Sequence, residues 1–153
     1  MTYRQSLAPP KNRRAAEAND EIVMDRISFK LAPLKSDKRN SQFGADIFIN
    51  DENLIEKIRI FEKPFAEKEG HPSLAGEYEG MQPEWRLKEI SESGERQYIF
   101  ACNGCGEPGC WPIMIDIVMN GKEVVWKNFR QPHRGSQSKS SFWDYSQIPR
   151  VSF

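Results

Sequence analysis

The stretch Cys102-Asn103-Gly104-Cys105-Gly106-Glu107-Pro108-Gly109-Cys110-Trp111-Pro112 constrains this chain most. It holds all three cysteines of the 153-residue sequence, with three glycines and two prolines among them. Glycine and proline at that density break regular structure, so the stretch is a loop. Tyr98-Ile99-Phe100-Ala101 before it and Ile113 to Val118 after it are short apolar runs that read as strands. The fold therefore has to join two strands through a tight connection that carries every thiol.

The rest of the chain supplies elements for such a sheet. Residues 1–20 are polar and basic, and the spacing predicts a disordered tail ahead of a single globular domain over 21–153. Ile27, Phe29 and Leu31 alternate with Ser28 and Lys30, the period of a half-buried strand. Phe43 to Ile49 reads as a second strand. Asn50 or Asp51 is placed to cap a helix over 51–62, whose stripe is Leu54, Ile55, Ile58 and Phe61. Lys63-Pro64 is expected to end it, because the residue before proline disfavours the α region.

Leu74 to Met81 reads as ordered loop with one short element, and Trp85 to Ile90 as a short strand before a turn at Ser91 to Gly94. Asn120-Gly121 sits between Ile115 to Val118 and Glu123 to Trp126, which predicts a hairpin with a type I′ turn. Gly135 to Ser141 is Ser-rich and expected to be mobile. Phe142-Trp143-Asp144-Tyr145 is expected to dock on the body, and Ile148 to Phe153 to form a last strand. The predicted class is α+β, with a mainly antiparallel sheet, one principal packing helix and a Cys/Gly-rich loop between strands.

Lysine plus arginine balance aspartate plus glutamate at 22 each, so no net field draws the chain to nucleic acid or an anionic membrane. No run approaches the ~20 apolar residues of a membrane helix, and the start has no apolar signal core. The expected compartment is the cytoplasm, where thiols stay reduced. An odd number of cysteines also argues against a closed disulfide framework.

Cys102-x2-Cys105-Gly106 has the form of a metal-binding knuckle: two thiolates chelate one ion while the glycine permits the close turn. Cys110 is a third ligand candidate. His133, which follows the outgoing hairpin strand, is the natural fourth for a closed, structural Cys3His zinc site. If Cys102 stands aside, Cys105, Cys110 and His133 leave a position open, and Glu107 can work as acid or base. Plain buried thiols, with His133 capping a carbonyl, and a disulfide remain as alternative readings.

Trp111, Trp126, Phe129, Trp143 and Tyr145 are expected to be mostly core. Aromatics and arginine also favour binding hot spots, so Arg130, Arg134, Trp143 and Tyr145 form a candidate binding surface. Three functional classes follow. One is a non-catalytic protein that binds another protein, for example a toxin-neutralising immunity protein. Another is a metal-dependent hydrolase using Cys105, Cys110, His133 and Glu107. The third is a thiol redox protein, for which the usual βαβ context of Cys-x-x-Cys is missing.

Four blocks together resemble a family of uncharacterised bacterial proteins. Its pattern I-x-I-N…L-I-x-x-x-R-x-x-E-x-P-F-A is matched from Ile47 to Ala66, and E-G…L-A-G-x-Y-x-G from Glu69 to Gly80. C-G-E-x-G-C-W-P is matched from Cys105 to Pro112. V-x-W-x-x-F-x-Q-P-H-R is matched from Val124 to Arg134, ahead of Trp143-Asp144-Tyr145-Ser146. Family members carry Cys-x-Cys where this chain has Cys102-x-x-Cys105, and many continue past its last residue. The resemblance implies a common fold unit and site, and no reaction.

Overall fold

The computed structural model describes residues 23–39, 41–84, 94–135 and 142–153. The polar tail 1–20, the strand expected from Trp85 to Ile90, most of the turn after it and most of the Ser-rich segment lie outside the described residues. The described chain forms two antiparallel sheets and one α-helix. The first sheet holds β1 (Ile27–Pro33), β2 (Phe43–Ile49) and the short β3 (Glu52–Asn53), in that order. The second holds β4 (Tyr78–Gly80), β5 (Gly94–Cys102), β6 (Ile113–Asn120), β7 (Glu123–Arg130) and β8 (Val151–Ser152), also in chain order. The α+β class read from the sequence is the class observed.

Helix α1 spans Leu54–Lys68, later at both ends than expected. Asn50 and Asp51 do not cap it. Both have positive φ, at 52° and 69°, and they form the two-residue turn that pairs Ile49 with Glu52. Asn53 is the cap, its side chain accepting from the N–H groups of Ile55 and Glu56. Pro64 lies inside the helix. It stays there because Ile60, whose carbonyl loses its partner, and Pro64 itself face solvent, while the next turn buries Ala66 and stacks Phe65 on Trp143. Packing here outweighs the local preference.

The β6–β7 hairpin forms where expected, with its register one residue later. Asn120 pairs with Glu123, so Gly121 and Lys122 are the central residues. Only Gly121 has positive φ, which selects a turn with glycine first rather than type I′. The last strand is shorter than Ile148 to Phe153, at Val151–Ser152.

A single apolar core draws from both sheets and the helix. It includes Ile47 and Ile49 of β2, Leu54, Ile55, Ile58 and Ala66 of α1, and Ile99, Ile113, Ile115, Trp126 and Phe129 of the second sheet. The sheets meet where β2 crosses β4. Ala45 N–H donates to the Met81 carbonyl at 2.9 Å. A Cβ on Gly44 would stand 2.2 Å from the Gly80 carbonyl oxygen, and one on Gly80 would stand 2.3 Å from that of Ala45. Only glycine permits that approach.

Asp116 of β6 holds the irregular part of the second sheet. Pairing shifts at Gly94/Gln97 and at Met114/Asp116, and Arg96 and Asn128 take positive φ there. The Asp116 carboxylate accepts from Arg96 N–H at 2.9 Å, Asn128 Nδ2 at 2.7 Å and the Arg130 guanidinium at 2.7 Å. Burial opposes its charge, and the Arg130, Asn128 and Arg96 donors outweigh burial, lowering the pKa to about 2. A depressed carboxylate stabilises the fold above its ordinary value of 3.8, and the contribution is lost as pH falls through about 2. Asp116→Ala should therefore cost about 2 kcal/mol at pH 7, as a lower denaturation midpoint. An unchanged midpoint would show that the bulges hold without it.

Candidate metal centre

The thiol loop hangs between β5 and β6 at the end of the sheet where β4 starts and β7 finishes. Cys102 closes β5 and pairs with Tyr78. Gly106 N–H then donates to the Cys102 carbonyl at 2.8 Å, with Gly106 at φ +78°. A Cβ on Gly106 would stand 2.9 Å from Ser36 Oγ, so this glycine is required by both conformation and space. A second turn follows, in which Cys110 N–H donates to the Glu107 carbonyl at 3.2 Å.

These turns gather the sulfurs. Cys102, Cys105 and Cys110 Sγ lie within 4.8 Å of one another, and all three thiols are free. Thiolates bound to one zinc at ~2.3 Å each sit roughly 3.8 Å apart, so a small inward turn of the side chains closes the set on an ion. The cluster can therefore hold a metal.

Its electrostatics already favour a thiolate. Burial opposes charge on Cys102, yet the N–H groups of Cys105 and Gly104 and the thiols of Cys105 and Cys110 outweigh it, and the pKa is lowered. Cys110 is pushed the other way, to about 11, by its hydrogen bonds to Cys105 and Cys102 and by the Cys102 charge. The donors that lower the Cys102 pKa also suit a sulfur ligand of a cation.

His133 stands beside this group, outside the set of clustered donors. The hairpin brings it back to the loop as the sequence suggested, since Met114 pairs with Arg130 three residues earlier. Its Nε2 lies 3.2 Å from the Gly109 carbonyl, and its ring stacks on Trp111 with centroids 6.1 Å apart. Among the described residues no fourth histidine, cysteine or acidic donor joins the three sulfurs. Glu107 is exposed at the loop tip and lines a cleft of ≈ 360 Å³. Cys105, Gly106, Glu79 and Asp37 also form its walls.

The binding surface read from Arg130, Arg134, Trp143 and Tyr145 needs correction. Trp143 and Tyr145 are 1% and 6% exposed and belong to the core. Arg130 is committed to Asp116. Arg134 pairs with Glu69 at 3.2 Å and lies 4.8 Å over Trp111 and 5.5 Å over Trp143. Trp143 Nε1 donates to the same carboxylate at 2.6 Å. The aromatics and arginine that suggest a hot spot instead pack on one another and staple the C-terminal segment to the end of α1.

Besides Asp116, two further buried acids lie outside the candidates the sequence suggests. Glu62 is fully buried, and its carboxylate accepts from Tyr78 OH at 2.5 Å, from Tyr145 OH and from Gly76 N–H at 2.7 Å. The signal was available: Glu62 falls four residues after Ile58 and four before Ala66, on the buried stripe of the helix. Glu79, on a strand too short for a period to show, accepts from the N–H and hydroxyl of Ser36 beneath the thiol loop. The chain matches no protein-family model, no curated protein and no solved structure. No helix of the described residues is long and apolar enough to cross a membrane.

Proposed function

We propose that this chain is a cytoplasmic, non-catalytic binding protein whose thiol loop is fixed by zinc on Cys102, Cys105 and Cys110. The observation that carries it is the convergence of the three sulfurs on a turn whose N–H groups face the Cys102 sulfur. A partner surface is supported by Phe29, Leu31 and Phe43, which are exposed on one face of the first sheet, since paired strand residues share a side. Toxin neutralisation is one form such binding takes.

Metal-dependent hydrolysis is a second reading, favoured by the cleft that Cys105 and Glu107 share. The charge of the site works against it. Three thiolates more than neutralise a dication, so a bound water gives up its proton less readily than at a histidine-rich site and depends on a base such as Glu107.

Cys105→Ser is the test. If zinc holds the loop, the variant should lose the ion and melt several degrees lower, because metal affinity is folding free energy at such a site. If the thiols hold no ion, the exposed Cys105 should be replaceable with little change in stability and none in metal content. That outcome rejects the zinc reading. Zinc-loaded protein that turns over generic esters or phosphoesters, with loss in Glu107→Gln, would establish the hydrolase instead.

A further inference from the structure

We propose that the metal position on Cys102, Cys105 and Cys110 is completed by an imidazole that enters from the adjoining cleft and does not belong to the fold. This rests on the zinc reading above and adds the fourth ligand to it. Three protein donors leave a tetrahedral ion one position short. The one histidine at the loop, His133, is held outside the sulfur set by the Gly109 carbonyl and by its stack on Trp111. Cys105 and Cys110 are both exposed, and Cys105 is at once a ligand and a wall of the ≈ 360 Å³ cleft. The open side of the ion is therefore reached from solvent along that wall.

Charge selects the donor. Three thiolates and a dication carry a net −1, and the cleft adds Asp37, Glu79 and Glu107, with no lysine, arginine or histidine among the described residues of its lining. A carboxylate or phosphate would enter against this field. A lysine amine suits the field but is protonated at pH 7 and has no lone pair to offer. Imidazole is the biological nitrogen donor that is largely neutral at that pH and binds zinc well. The ligand is thus a histidine side chain of a partner or a small imidazole.

Cobalt(II) in place of zinc reports the coordination sphere through its visible bands. Full-length wild-type and His133→Ala proteins, each loaded with cobalt, should show the same thiolate spectrum. Imidazole should shift the bands of both in a saturable manner, and acetate and phosphate at the same concentration should not. N-acetyl-histidine amide separates the sources: tighter binding than imidazole assigns a polypeptide, and equal or weaker binding assigns a small molecule. A spectrum already altered by His133→Ala would make His133 the fourth ligand and overturn the proposal. So would bands that imidazole leaves unmoved, or that acetate shifts equally. Failure of the protein to take up cobalt stoichiometrically would instead overturn the metal reading beneath it.

Discussion

Ile58→Asp should leave the chain unfolded at room temperature. Ile58 is 1% exposed and sits at the centre of the stripe that joins α1 to both sheets. An aspartate there would stand in the apolar core one turn from the buried Glu62, and a buried charge together with the lost apolar contacts costs more than about 4 kcal/mol. That is a large part of the stability of an ordinary domain. Circular dichroism and thermal melting report the result directly. A variant that melts cooperatively at the wild-type temperature would mean that the helix does not pack through this face.

Glu62 should make stability fall as the solution turns neutral. Burial pushes its carboxyl up to about 7 from the ordinary 4.5, with the Tyr145, Tyr78 and Gly76 donors and the Arg59 charge pulling back only in part. The folded chain therefore holds this proton more tightly than the unfolded one. The stability it contributes is full below 4.5 and is lost as pH rises through about 7. The difference between the two limits is about 3 kcal/mol.

Glu62→Gln keeps the shape and removes the titration. Its oxygen can accept from Gly76 N–H while the amide donates to the tyrosine hydroxyls, which can turn to accept. Denaturation midpoints of this variant should vary less between pH 5 and 8 than those of the wild type. Glu62→Ala removes the acceptor of three buried donors and should cost about 3 kcal/mol near pH 5. Equal pH dependence in wild type and Glu62→Gln would place the titrating group elsewhere.

What the sequence made legible was local in origin. The thiol loop, the tight turn at Cys102 to Gly106, the β6–β7 hairpin and the stripe on α1 each follow from residues close together in the chain. The misreadings arose where distant residues decided. Pro64 stays helical because Phe65 and Ala66 have a core to enter. Asn50 and Asp51 turn a hairpin because β3 returns against β2. Arg134, Trp143 and Tyr145 look like a binding surface until Glu69 and Glu62 are seen to receive them. At Glu62, groups from well-separated parts of the chain meet one carboxylate. No window of sequence displays that meeting.

The site divides along the same line. Three cysteines within one loop announce themselves by spacing. His133 was placed beside the loop correctly by the hairpin, but whether its ring turns to the sulfurs or to Gly109 depends on the stack with Trp111. The cleft wall of Glu79, Ser36 and Asp37 comes from elements whose meeting only the folded chain shows.

Elemental analysis of the untagged protein tests the metal centre most directly, with free thiols counted on the same sample. A zinc ion held by Cys102, Cys105 and Cys110 gives about one zinc per chain, resistant to dialysis, and thiols that react only after a chelator is added. Cys102→Ser should lose most of that zinc. Wild-type protein with no stoichiometric metal and freely reactive thiols would contradict it.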